Sequence, residues 1–314
     1  MFNFLFNLVE NRRKYYIFSS ILIGLGIAAM IYSYVTTGAI FQLGVDFRSG
    51  TRFEVQFVEQ TTENEIRAVF ADYEISNPSV IALRGEGLQN AWQIRSEFVT
   101  VEEAQAIVKT LDEDVGALIE GTTLVDSVSP SVGAEVTRAA FIAITVAAVV
   151  ILGYIMLVFR QVPNPFRYGA CAVAAMIHDL FIIFGFAAIT GVLFGWEVDA
   201  LFLTAVLTVA GFSLQDTIVV FDRIRENIAK RPFERYEKIV NRSILETIHR
   251  SLATQMNAMF ILVALLLFGG ASIKPFIAVL FIGLFSGTYS SIFIATPLLV
   301  SWEKKEIPLV RSTA

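Results

Sequence analysis

Ionisable residues inside long apolar stretches are the feature of this sequence that could do chemistry. Asp216 lies in one such stretch, the pair His178-Asp179 lies near the middle of another, and Arg250 stands at the start of a third. A charged side chain within a bilayer costs several kcal/mol, so such residues usually face a protein interior or a wet cavity and mark ion or proton pathways. A carboxylate in such a cavity can take up and release protons, and a nearby arginine changes how readily it does so.

Polar side chains recur at helical spacing in the stretches that contain Asp216 and Arg250. Residues spaced by four, seven and eleven positions share one face of a helix. The two stretches follow each other in the chain, so they are expected to be antiparallel neighbours in which Asp216 could approach Arg250. A structural hydrogen bond for Asp216 and snorkelling to the interface for Arg250 are the alternatives. The stripes are Thr204, Thr208, Gly211 and Gln215 in one stretch and Arg250, Thr254 and Asn257 in the other.

Two further patterns favour a structural role. His178 and Asp179 are adjacent and therefore point about 100° apart on a helix, so one of them is expected to be a packing or hydrogen-bonding residue. Gly283 and Gly287 form a G-x-x-x-G pair, which usually means close helix packing. We expect no catalytic residue, no metal site, no cofactor and no nucleic-acid partner.

Composition indicates a membrane protein. Of 314 residues, 55% are hydrophobic and 17% are charged, a smaller charged share than soluble domains have. The apolar residues collect in runs of the roughly 20 residues that a bilayer requires. The single cysteine, Cys171, excludes a disulfide framework. The predicted spans are roughly 15–36, 138–159, 166–190, 198–222, 251–269 and 275–300.

Lysine and arginine are concentrated at one end of these spans, which predicts that both termini are cytoplasmic. The most basic connection, between the fourth and fifth spans, could also bind anionic lipid headgroups. The predicted divisions are a cytoplasmic N-terminus and first span (1–37), an extracytoplasmic domain (38–137), five further spans (138–301) and a cytoplasmic tail (302–314).

The region between the first and second spans is polar and is expected to fold in water. Its periodicity predicts the order β-α-β-β-α-β, which suggests a ferredoxin-like α+β domain. Thr62 and Thr100 are predicted to begin its two helices, the second with a capping box. A turn around Gly85, Gly87 and Asn90 is expected to join the middle strands. The region has no histidine and no nucleophile–base pair, so binding or mechanical work is expected there.

Specific strings resemble the SecF family, the smaller subunits of the SecD–SecF protein-export complex. The segments that resemble the family are 208–227 (TVAGFSLQDTIVVFDRIREN), 44–50 (GVDFRSG), the His178-Asp179 pair, 268–270 (FGG) and 287–295 (GTYSSIFIA). The resemblance covers the whole chain.

This resemblance implies half of a transporter of the resistance–nodulation–division (RND) superfamily. Such a half would pair with a SecD-like six-helix subunit and use the proton-motive force at the plasma membrane to help preproteins through the SecYEG channel. It implies proton passage at Asp216 and Arg250, with Asp179 at a matching family position. Gln215, Ser49 and the run 256–258 (MNA) depart from the family pattern.

Three alternatives remain open on the sequence. The chain could be a structural scaffold without a proton path of its own, in which case Asp216 would tolerate substitution. It could be half of an RND-type exporter of other substrates. It could also be an intramembrane protease, which would use Asp179 and Asp216 as a dyad, but the sequence context of such proteases is absent.

Overall fold

The computed structural model describes residues 8–75, 78–83, 88–162, 164–270, 273–304 and 306. Six segments are helical, long and apolar enough to cross a membrane, which confirms a polytopic helical membrane protein. The helices are α1 (Arg12–Thr37), α2 (Val45–Arg48), α3 (Glu63–Asp72), α4 (Val101–Thr110), α5 (Pro130–Val158), α6 (Pro165–Phe194), α7 (Ala200–Lys230), α8 (Tyr236–Phe268), α9 (Lys274–Ser290) and α10 (Thr296–Glu303); the strands are β1 (Gly50–Gln56), β2 (Ser79–Leu83), β3 (Ala91–Ser96) and β4 (Leu124–Val128).

The fourth and fifth spans continue as helices well beyond their predicted limits. α7 ends at Lys230 rather than 222, and α8 begins at Tyr236 rather than 251. A span predicted from hydropathy ends at the first charged residues. The helix itself can continue through charged turns when their side chains form ion pairs. Here Arg223 lies 2.7 Å from Glu226 one turn on and 2.6 Å from Glu246 of the facing helix.

The sixth span is also interrupted, because a π-helical turn, Ser291–Ala295, separates α9 from α10. α5 begins at Pro130, so its first two turns belong to the region 38–137 that was predicted as the outer domain. Of the predicted tail 302–314, only residues 302–304 and 306 are among the described residues.

A four-stranded sheet with two helices lies between α1 and α5 and is called the sheet domain here (Gly50–Val128). Its elements follow the order β1-α3-β2-β3-α4-β4, and the strands lie in the order β2-β3-β1-β4 with every neighbouring pair antiparallel. Thr62 and Thr100 each begin a helix with a complete capping box. Of the predicted turn, Gly85 and Gly87 lie outside the described residues.

Alternation in the strands gives this sheet two different faces. One face carries fully buried side chains, including Phe53 of β1 and Ile94 of β3, which pack against Phe70 of α3 and Ile107 of α4. The other face carries charged and amide side chains, and part of it faces the loop between α6 and α7.

Close helix packing places α9 against α7 in the centre of the bundle. A Cβ at Gly283 would overlap Val209 of α7, and one at Gly287 would come within 3.0 Å of the Ser213 Cβ. α1 approaches α6 in the same way, since a Cβ at Gly185 would lie 2.7 Å from the Cα of Gly26. Glycine at these positions therefore sets the helix spacing.

Candidate functional site

Asp216 is buried where α7 contacts α8. Its carboxylate Oδ2 accepts a hydrogen bond from Gln255 Nε2 at 2.8 Å, and Ser251 is a further hydrogen-bond partner. All three side chains are more than nine-tenths buried. Ser251 and Gln255 lie four residues apart, so they share one face of α8. We call Asp216, Ser251 and Gln255 the Asp216 site.

Asp216 lies near the middle of its helix. It is sixteen residues from Ala200 and fourteen from Lys230, which corresponds to roughly 24 Å and 21 Å along the axis. Its hydrogen-bond partners named above are neutral. Within the described residues Asp216 forms no ion pair with Arg250, which directly precedes Ser251 on α8.

Asp179 occupies a different environment, at the meeting point of α6, α7 and α9. Its Oδ1 accepts from Ser286 Oγ at 2.6 Å and lies 3.1 Å from His178 Nδ1. Its Oδ2 accepts from Ser213 Oγ and Ser290 Oγ, each at 2.7 Å. These five residues form the Asp179 cluster. Each carboxylate oxygen of Asp179 thus has two hydrogen-bonding partners. Because these partners lie on α6, α7 and α9, the cluster joins three helices.

His178 contributes its Nδ1 to this cluster and packs beside an aromatic ring. Its imidazole stacks on Tyr289 at a centroid distance of 6.0 Å. Its Nε2 is buried and has no hydrogen-bond partner among the described residues. The side chains of His178 and Asp179 therefore contact each other, although adjacent residues on a helix point about 100° apart.

α7 contributes to both aspartate environments within a single turn. Ser213, which binds Asp179, precedes Asp216 by three residues. Both side chains are buried, so one turn of α7 contacts α6 and α9 on one side and α8 on the other. A shift of this turn would alter both sets of hydrogen bonds.

The two polar stripes predicted from the sequence lie largely on the outside of this chain rather than at the Asp216 site. Thr204, Gly211 and Gln215 of α7 are exposed, and Thr208 is half-buried. Arg250, Thr254 and Asn257 of α8 are exposed as well.

Of the residues that bind the aspartates, sequence reasoning singled out His178 but not Ser213, Ser286, Ser251 or Gln255 as their partners. The four-residue spacing of Ser251 with Gln255, and of Ser286 with Ser290, is the signal that could have found most of them. Each pair forms one small polar face in an otherwise apolar helix.

Comparison with known proteins identifies matches over most of the chain. A family model described as protein export membrane protein SecD/SecF, C-terminal, matches residues 107–305, and one described as the SecD/SecF GG motif matches residues 41–61. The protein translocase subunit SecF of Anaerolinea thermophila is 42% identical over 283 residues, 88% of this chain and 90% of the relative. The SecF of a Synechocystis species is 34% identical over 93% of each chain.

Longer relatives match in part. The protein translocase subunit SecDF of Bacillus subtilis is 34% identical over 95% of this chain, but the match spans 38% of that relative. The crystal structure of SecDF from Thermus thermophilus, described as a translocon-associated membrane protein, superposes with a TM-score of 0.78 at 25% identity. It covers 95% of this chain, which spans 39% of the solved chain.

Proposed function

Because the chain belongs to the SecD/SecF family of protein-export membrane proteins, we propose that it assists preprotein translocation through the SecYEG channel at the plasma membrane. In this proposal the chain works with a SecD-type six-helix subunit, catalyses no covalent chemistry and is driven by the proton-motive force. The observation that carries the proposal is the carboxylate of Asp216, which is buried near the middle of a membrane helix among neutral hydrogen-bond partners.

A buried carboxylate of this kind is suited to proton exchange. Serine and glutamine can bind either protonation state, because a hydroxyl and an amide can each donate or accept. An ionisable residue at this depth is a functional-site hypothesis by default. Arg250 directly precedes Ser251 on α8 and forms no ion pair with Asp216 among the described residues, so a small rotation of α8 could bring its charge closer to the carboxylate.

Asp179 has a different role in this proposal. Its two oxygens are bound by three serine hydroxyls and His178, which come from α6, α7 and α9. We therefore assign Asp179 and His178 to the connection of α6, α7 and α9, through which a change at Asp216 reaches the rest of the bundle.

A SecD-type partner is proposed to cover the outward stripes of α7 and α8. Exposed polar groups such as Gln215 and Arg250 are costly against lipid and are usually covered by protein. The Bacillus subtilis relative named SecDF is a single chain of which this chain spans 38%, which supports a partner of this type.

The proposed orientation places the basic connections in the cytoplasm and the sheet domain outside it. Basic residues at the end of the bundle opposite the sheet domain support this orientation, since such residues are retained on the cytoplasmic side. We also propose that the sheet domain is ferredoxin-like, because its β-α-β-β-α-β order and antiparallel strand order match that split arrangement.

The experiment compares Asp216→Asn with Asp222→Asn, a matched change at a half-buried residue six positions along the same helix. Preprotein transport would be measured in membrane vesicles with and without a proton gradient. We expect Asp216→Asn to remove the gradient-dependent stimulation at unchanged protein abundance, and Asp222→Asn to retain it. Normal stimulation with Asp216→Asn would refute proton coupling at this residue and favour a scaffold role.

A further inference from the structure

A short loop, residues 195–199, joins α6 to α7 and is bound by the sheet domain. Glu197 in this loop is buried, with 6% of its side chain exposed. Its Oε1 accepts a hydrogen bond from Gln93 Nε2 at 2.8 Å and lies 2.7 Å from Arg95 Nε. Both partners are on β3, so one carboxylate joins the loop to the sheet.

The same loop is held from a second side by the segment that follows α1. The backbone N–H of Val198 donates to Gln42 O at 2.7 Å, and that of Gly44 donates to Val198 O at 2.8 Å. The side chain of Asp46 accepts from the N–H of Ala200, the first residue of α7, at 2.9 Å. The start of α7 is therefore fixed both to this segment and, through Glu197, to the sheet.

Glycine at position 44 leaves the space that the Glu197 carboxylate occupies. A Cβ at Gly44 would lie 3.1 Å from Glu197 Oε2 and 3.1 Å from the Cβ of Asp199. A side chain at this position would therefore require the loop to shift by a few tenths of an ångström away from residue 44.

The buried charges make this contact dependent on both partners. Burial raises the pKa of Glu197, and the positive charges of Arg95 and Arg52 oppose that rise. Removal of one member of a buried ion pair leaves the other charge uncompensated, which is far more costly than replacement of both. Separating the loop from the sheet would therefore leave the charges of Glu197 and Arg95 without each other as partners.

We propose that Glu197 is a positioning residue that couples the sheet domain to α7, so that a displacement of one is passed to the other. This inference rests on the proposed function, because α7 carries Asp216 sixteen residues after Ala200. A helix transmits movement along its axis as a rigid element. A change of protonation at Asp216 that shifts α7 would in this way move the sheet domain, which is where preprotein would be met.

The test uses the full complex with its SecD-type partner and measures protein abundance, proton passage and preprotein transport for each variant. Glu197→Ala and Arg95→Ala remove one partner each. Arg95→Glu combined with Glu197→Arg exchanges the charges, and Glu59→Ala is the control at an exposed carboxylate of the sheet domain.

We expect each single variant to lose gradient-dependent transport by about tenfold while proton passage stays within about twofold of the wild type. The charge exchange should recover at least half of the transport, and Glu59→Ala should match the wild type. A purely structural role would instead lower proton passage and transport together.

Full transport by Glu197→Ala would overturn the inference, and so would a charge exchange that transports no better than the single variants. If the single variants fail to accumulate, the charge exchange decides, because only restored pairing should return both abundance and transport. Asp216→Asn in the same assay separates the two proposals: if it transports normally the proposed function fails, and if it is inactive while Glu197→Ala is active only the coupling fails.

Discussion

The close contact between α9 and α7 leads to a quantitative prediction for Gly283→Ala. The added Cβ would lie 2.9 Å from Val209 Cγ1 and 3.1 Å from Val209 Cβ, and closer still to Cγ2. Unstrained carbon atoms in contact are about 3.5–4.0 Å apart. Valine in a helix strongly prefers one rotamer, so the side chain cannot swing away and the two helices must separate.

The magnitude follows from the contacts that this separation affects. Overpacking a well-packed interior costs about 1–3 kcal/mol. The separation also stretches the bond from Ser213 of α7 to Asp179, now 2.7 Å long, and a hydrogen bond to a charged group contributes about 1.5–3 kcal/mol. The higher helix propensity of alanine offsets this loss by up to about 1 kcal/mol, because glycine is that much less favourable in a helix interior. We therefore expect a net loss of about 2–5 kcal/mol.

The assay is unfolding of the purified protein in mixed dodecyl maltoside and sodium dodecyl sulfate micelles. Gly153→Ala in α5 is the matched control, because none of the described residues on other elements comes within 4 Å of its added Cβ, and it should be as stable as the wild type or slightly more so. Val209→Ala combined with Gly283→Ala should be less destabilised than the sum of the single changes, by at least about 1 kcal/mol. Wild-type stability of Gly283→Ala, or strict additivity with Val209→Ala, would refute the predicted contact.

Three further predictions concern stability. Asp179→Ala leaves the buried hydroxyls of Ser213 and Ser286 without their carboxylate acceptor and leaves Ser290 with only its 3.2 Å bond to Gly287 O. It should cost more than about 3 kcal/mol in the same micelle titration, whereas Ser286→Ala should cost about 1–2 kcal/mol; equal costs would contradict the cluster. Gly50→Ala places a side chain at a φ of 129° and against a backbone oxygen of β3, so its thermal unfolding should begin at least several degrees below that of the wild type, and an unchanged midpoint would contradict this. The pKa of Glu65 is lowered from its ordinary value because the backbone N–H and the side-chain hydroxyl of Thr62 bind the carboxylate. The contribution of Glu65 to stability is therefore complete above the ordinary pKa and is lost as the pH falls through the lowered pKa. The difference in melting temperature between wild type and Glu65→Gln should accordingly close in acid, and a constant difference would exclude this contribution.

Local patterns were sufficient to predict most elements of the fold. The capping residues Thr62 and Thr100 are read from four-residue segments, and the spans are read from uninterrupted apolar runs, since both signals depend on neighbours in sequence. The extended ends of α7 and α8 were missed because their stability comes from charge pairs such as Arg223 with Glu246, which join different helices.

The site was predictable in part. The burial of Asp216 follows from its place in an apolar stretch, but its partners do not, because the rotation of α8 about its own axis is set by tertiary packing. A rotation of about 100°, one residue, decides whether Arg250 or Ser251 faces α7. In the structure Ser251 and Gln255 face α7 and bind Asp216, whereas Arg250 is exposed.

Proton passage in liposomes shows whether Asp216 carries protons for this protein. The chain and its SecD-type partner would be reconstituted with a pH-sensitive dye inside, and the external pH would then be lowered. We expect Asp216→Asn to slow internal acidification by at least about tenfold relative to the wild type, and Asp216→Glu to restore a large part of the rate. Acidification by Asp216→Asn at the wild-type rate, in vesicles shown to contain both chains, would contradict the claim.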